Sequence, residues 1–117
     1  MNPRALGARG ELIAADWYVE HGYTVLDRNW RTRHGELDLV LERERTLVFC
    51  EVKTRSSDAF GAGVEAVTRE KQQRIRRLAG QWLEQHDQAA RSLRFDVVSI
   101  LAPRDADPTI DVFEAAF

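Results

Sequence analysis

Two alternating segments on either side of a charged turn constrain this chain more than any other feature. From Glu36 to Leu41 the side chains alternate, with Leu37, Leu39 and Leu41 on one side and Glu36, Asp38 and Val40 on the other. A period of two belongs to a β-strand. Thr46 to Lys53 alternates in the same way, with Val48, Cys50 and Val52 facing apolar packing and Phe49, Glu51 and Lys53 facing the opposite side. Between them Glu42-Arg43-Glu44-Arg45 has room only for a turn, so the two segments are expected to pair as an antiparallel hairpin. Residues two apart on a strand share a face, about 6.5 to 7 Å apart. Glu51 and Lys53 therefore point the same way, and a register that joins the matching faces makes Asp38, Glu51 and Lys53 converge across neighbouring strands.

The rest of the chain supplies partners for that hairpin. Pro3 suits the first turn of a helix, Ala5 to His21 is rich in helix formers, and Gly22 sits where a helix would stop. Leu6, Ile13 and Trp17, flanked by Leu12 and Val19, are expected to form its apolar face. Tyr23 to Trp30 reads as a strand and Thr32-Arg33-His34-Gly35 as a turn, while Ser56 to Gly63, with Gly61 and Gly63, reads as a loop. Val64, Val67, Ile75, Leu78 and Trp82 recur at helical spacing and predict a long amphipathic helix from Val64 to about His86. Leu93 to Leu101 is apolar enough to lie inside a sheet, Pro103 to Pro108 is a connector, and Ile110 to Phe113 is expected to add an edge strand. The order helix, three strands, helix, strand predicts an α/β domain over 1–117, with a mixed sheet flanked by helices.

Composition removes several classes of function. At 117 residues, 44% hydrophobic and 31% charged, the chain has the make-up of one soluble globular domain. No stretch approaches the roughly 18 to 20 apolar residues that span a bilayer, and the N-terminus lacks the plan of a signal peptide, so a cytoplasmic protein without membrane partners is expected. The single cysteine, Cys50, excludes an intrachain disulfide and a Cys/His zinc finger. The net charge of −2 argues against a general nucleic-acid coat. The charge is segregated, however. Lys53 to Arg77 holds seven basic residues against three acids, whereas Phe95 to Phe117 holds one against five. A focused basic stretch can hold a polyanion on an acidic protein.

Two carboxylates and an ammonium on an apolar strand pair are costly to bury unless they serve something. A hard cation such as Mg²⁺ or Mn²⁺ takes carboxylate oxygens and accepts substrate phosphates. Asp38 and Glu51 are the candidate ligands, and Lys53 is placed to orient a water or to stabilise developing negative charge. An internal ion pair of Lys53 with Glu51 or Asp38 is the other reading of the same spacing.

The run Gly35-Glu36-Leu37-Asp38-Leu39-Val40, followed after the turn by Val48-Phe49-Cys50-Glu51-Val52-Lys53-Thr54-Arg55, resembles the YraN-like family of small bacterial proteins. The likeness extends to Gly10-Glu11, Asn29-Trp30-Arg31, Phe60-Gly61 and Arg94-Phe95-Asp96-Val97, nearly the whole chain. That family is similar in turn to the restriction-endonuclease-like superfamily, with its αβββαβ core and its motif of an Asp followed at a distance by Asp/Glu-x-Lys. Asp38 matches the first acid and Glu51-Val52-Lys53 the triplet, with Leu37 where the motif's name has proline. Similarity to archaeal-type Holliday junction resolvases implies one more acid from the first helix, for which Glu11 is the candidate; a solvated helix glutamate is its other reading.

The resemblance implies a Mg²⁺- or Mn²⁺-dependent endonuclease acting on nucleic acid, DNA and branched DNA first. Asp38, Glu51 and Lys53 would be catalytic, and Asp38, Glu51 and Glu11 would be the metal ligands. Arg55, Lys71 and Arg74 are candidate phosphate contacts, each with a solvated-charge alternative. Glu36 is open between ligand, support and ion pair with Arg31; His34 is expected to be an exposed turn residue; Trp30 is either core or a base-stacking platform. The competing class is a non-catalytic nucleic-acid-binding or adaptor protein on the same scaffold. A domain of this size cutting two strands would act as a symmetric homodimer.

Overall fold

The structure is a computed structural model that describes residues 2–57, 67–86 and 92–117. Helix α1 (Pro3–Glu20) begins with Pro3 in its first turn and with the Asn2 side chain accepting from the Ala5 N–H at 2.8 Å. Three strands follow, β1 (Thr24–Thr32), β2 (Gly35–Arg43) and β3 (Thr46–Arg55). Helix α2 (Arg69–Gln85) starts at Thr68, whose hydroxyl accepts from the Lys71 N–H. Strands β4 (Ser92–Leu101) and β5 (Thr109–Phe113) complete the chain. The long helix thus begins at Arg69, because Thr68 caps it and takes an extended backbone. Val64, Phe60, Gly61 and Gly63 lie outside the described residues.

The strands form one sheet in the order β1-β2-β3-β4-β5. Every neighbouring pair is antiparallel except β3 and β4, which run parallel on either side of α2 in sequence. The result is a mixed sheet with a helix on each face, as expected. The expected hairpin is β2–β3, closed by Glu44 and Arg45, both at positive φ (48° and 69°), as a two-residue turn between right-twisted strands requires.

Each face has its own core. On the α1 side Ala14, Ala15 and Tyr18 pack against Leu39, Leu41, Val48, Cys50, Val98 and Ile100. On the α2 side Ile75, Leu78, Ala79 and Trp82 pack against Leu37, Val40, Leu47, Phe49 and Phe95.

Two expectations change here. The buried face of α1 is built from Gly10, Ala14, Ala15 and Tyr18, whereas Leu6, Ile13 and Trp17 sit at the margin and Leu12 and Val19 are each 54% exposed. Small residues win that face because the helix lies close against β3. A Cβ on Gly10 would fall within 2.7 Å of both Thr54 Cβ and Thr54 Cγ2.

The second change concerns β2, whose alternation is not strict. Leu37 belongs to the α2-side core with Val40, while Leu39 and Leu41 belong to the α1-side core. Leu37 and Leu39 are two apart yet on opposite faces, so the pleat reverses at Asp38. Strand β1 reverses at the same level: Asp27 accepts from Trp82 Nε1 on the α2 side, and Trp30, three residues on, packs into that same core. Paired reversal keeps both strands in register, with Arg28 opposite Leu39 and Trp30 opposite Leu37.

Candidate functional site

The pleat reversal builds the site. Between the pairs Arg28–Leu39 and Trp30–Leu37, Asn29 and Asp38 stand opposite one another, and Asn29 takes a left-handed backbone with φ of 50°. On its other side β2 parts from β3, since their ladder ends at the pair Leu39–Cys50. The Asp38 side chain enters that gap, and its Oδ2 accepts from the Val52 N–H at 2.8 Å. Asp38 thus fills a seam between two strands rather than standing on one face of the sheet.

Two more carboxylates reach the seam. Glu11 arrives from α1, one residue past the close contact of Gly10 with Thr54. Glu36 arrives from the start of β2, held by Arg31 across the β1–β2 pair at 2.8 Å. One oxygen from each of Glu11, Glu36 and Asp38 lies within 4.8 Å of the other two, and all three residues are half-buried. Strand β3 is regular through Arg55 along β4, so its alternation puts Glu51 and Lys53 on the face of Leu47 and Phe49. Glu51 stands outside the three-carboxylate group but is near enough to act on Asp38 electrostatically.

These charges leave their mark on the acids. Burial, chiefly, pushes the Asp38 carboxyl up to about 7; the negative charges of Glu51, Glu11 and Glu36 push the same way, and the Val52 N–H pulls it back. Burial also raises Glu11, a side-chain hydrogen bond from Asn29 opposes the rise, Glu36 adds to it, and Arg28 and Arg31 counter it. Concentrated negative charge of this kind is what a divalent cation relieves. The donors are all hard oxygens, a set that suits Mg²⁺ or Mn²⁺. The one thiol close by, Cys50, is buried within the α1-side core and lies 3.6 Å from the Tyr18 hydroxyl.

Among the described residues neither Glu51 nor Lys53 forms a side-chain hydrogen bond or ion pair. The internal ion pair that sequence spacing also allowed is therefore not formed. Lys71 is half-buried in the first turn of α2. Arg74 is exposed and lies along the β1–β2 turn, its Cδ 3.5 Å from where a Cβ on Gly35 would stand. Arg55 is half-buried at the end of β3, its carbonyl accepting from the Ala102 N–H. Arg76 lies over the rings of Phe95 and Phe117 and is committed to packing.

His34 is exposed in its turn, beside an open cavity of about 580 Å³ lined by Thr32, Arg33, Gln81, Glu84 and Gln85. None of the clustered acids lines that cavity. Trp30 is half-buried against the α2-side core, edge-on to His86, which marks it as a packing residue.

Sequence reasoning missed two features. Asn29 is the first: nothing in a strand-like stretch announces a left-handed residue, although asparagine is among the few that tolerate it. The second is the destination of Arg94 and Asp96. Asp96 is fully buried and accepts from the Tyr18 hydroxyl at 2.7 Å, from Arg94 Nε and Nη2 at 2.9 Å each, and from the Ala115 N–H at 3.0 Å. Arg94 also donates to the Tyr23 hydroxyl. This network ties α1 and the C-terminal segment to the sheet, so the Arg94-Phe95-Asp96-Val97 run has a structural task.

Comparison with known proteins agrees with the sequence resemblance. A "UPF0102 protein" of Beutenbergia cavernae is 56% identical over 100 residues, covering 86% of this chain and 85% of its own. Similar proteins of the same name come from Frankia alni, 50% identical over 113 residues (97% and 94% covered), and Clavibacter michiganensis subsp. michiganensis, 47% identical over 111 (95% and 94% covered). With the family profile matching residues 10–100 as well, the chain belongs to Uncharacterised protein family UPF0102.

Proposed function

We propose that this protein is a metal-dependent nuclease that hydrolyses phosphodiester bonds in nucleic acid, with DNA, including branched DNA, as its first expected substrate. The observation that carries this reading is the seam at Asp38: three carboxylates from two elements gather within 4.8 Å of one another. Glu51 bears on the same group from β3, and Lys53 stands two residues on without an internal partner among the described residues.

Asp38, Glu11 and Glu51 are the proposed ligands of Mg²⁺ or Mn²⁺, with Glu36 beside them. The bound ion would supply charge neutralisation at the phosphate and a more acidic water. The chain's own residues do the remaining work. Lys53 donates to the attacking water or to a non-bridging phosphate oxygen, where negative charge builds up. Arg55, Lys71 and Arg74 contact backbone phosphates on either side. Hydrolysis forms one P–O bond from water and breaks one P–O ester bond; the water gives up a proton and the departing oxygen takes one.

The test is cleavage of labelled single-stranded, duplex, flap and junction DNA, and of RNA, with Mg²⁺ or Mn²⁺. Wild type is compared with Asp38→Ala, Glu51→Ala and Lys53→Ala. Cleavage by wild type that is lost in all three variants, each folded by circular dichroism, supports the reading. Substrate binding without cleavage, unchanged in the three variants, refutes it in favour of a binding or adaptor role.

A further inference from the structure

Each of the three clustered carboxylates has one polar neighbour, two of them on β1 and one on β3. The Val52 N–H of β3 donates to Asp38, the Arg31 guanidinium of β1 pairs with Glu36, and the Asn29 side chain of β1 is near enough to Glu11 to favour its charged form. The first is backbone and the second an ordinary cross-strand ion pair. The third is unusual, because Asn29 reaches Glu11 from a strand position with φ of 50°, opposite Asp38 and at the point where both strands reverse their pleat. A left-handed residue inside a strand is strained for most side chains. Here it stands opposite Asp38, and its side chain bears on another carboxylate of that cluster.

We propose that Asn29 is a positioning residue. Its left-handed backbone presents the side-chain amide to Glu11 and fixes that carboxylate toward Asp38, so that the helix and the sheet contribute to one cation site. This rests on the metal-site reading above. Asn29 touches neither the cation nor substrate; it acts through Glu11. Partners that orient a metal ligand in this way commonly change affinity by about 10- to 100-fold when removed.

Asn29→Gly is the informative variant, since glycine accepts positive φ without strain and removes the side chain. The measurement is calorimetric binding of Mn²⁺ alone to the full chain at one fixed pH, for wild type, N29G, E11Q, the double variant and D38A. Thermal melting without metal is recorded beside it. The expected result is that N29G weakens Mn²⁺ binding roughly tenfold, that the double variant is no weaker than E11Q, and that metal-free melting of N29G stays within a few degrees of wild type. Wild-type affinity in N29G, with binding abolished in D38A, overturns the role of Asn29 and leaves the metal site standing. Losses that add between N29G and E11Q, or an N29G that is unfolded without metal, also overturn it. Wild type with no Asp38-dependent Mn²⁺ binding overturns the metal-site reading and this inference together.

Discussion

The carboxyl of Asp38 makes the fold's stability depend on pH in a direction opposite to the usual carboxylate. In the folded chain it holds its proton up to about pH 7, against an ordinary value of 3.8. Between those two values the folded state binds the extra proton, so stability is greatest at the acid end and falls as pH rises through 7. The full gap corresponds to at most about 4 kcal/mol at 1.36 kcal/mol per pH unit. Asp38 is half-buried, so solvent screens part of its charge, and about 2 kcal/mol is the reasonable expectation. Asp38→Asn removes the charge while its side-chain oxygen can still accept from the Val52 N–H. Denaturation in the presence of a chelator at pH 5, 6, 7 and 8 checks this. Wild type should lose about 1 kcal/mol more than D38N between pH 5 and 8, the rest of the fall lying below pH 5, and D38N should melt roughly 6 to 10 °C higher at pH 8. Taking the difference between the two proteins cancels the titration of groups that do not interact with Asp38. Parallel curves, or a wild type that gains on D38N as pH rises, would refute the account of the seam as a site of unrelieved negative charge.

Other expectations follow from packing and charge. Gly10→Ala should destabilise by about 1 to 3 kcal/mol in denaturant unfolding, since the new methyl meets Thr54 and α1 must lift from β3. Tyr18→Phe should lose about 1 to 3 kcal/mol by taking one donor from buried Asp96. Arg94→Leu should lose about 3 to 5 kcal/mol, because it leaves that carboxylate without its cation. Lys71→Ala and Arg74→Ala should each weaken DNA binding and lower the salt dependence of log K by about one unit, measured by titration at several salt concentrations.

How much of this was legible in the residues depends on whether a feature is local. The hairpin, the mixed sheet flanked by helices and the edge strand follow from alternation, helical spacing and turn residues, and all appear. The apolar face of α1 was misjudged because hydrophobicity was weighed by size, while close approach of a helix to a strand selects glycine and alanine instead. The strict alternation assigned to β2 failed for a different reason. A pleat reversal is a property of two strands together, visible only when Asn29 and Asp38 are seen opposite one another. Glu11 was legible as a candidate only through the family resemblance. The influence of Asn29 on it, from 18 positions along the chain, was not.

The brace at Asp96 also sets the order in which the chain can finish folding. Tyr18 and Asp96, joined directly, are 78 residues apart, and the strand carrying Glu51 and Lys53 has β4 as its parallel neighbour. Every acid of the seam lies at or before residue 51, yet the buried hydrogen bond that braces the helix delivering Glu11 needs residue 96. Closing so long a loop is slow and makes this a chain of distant contacts. The brace therefore closes only in a nearly complete chain, and a fragment ending before β4 would carry all the seam's acids without it.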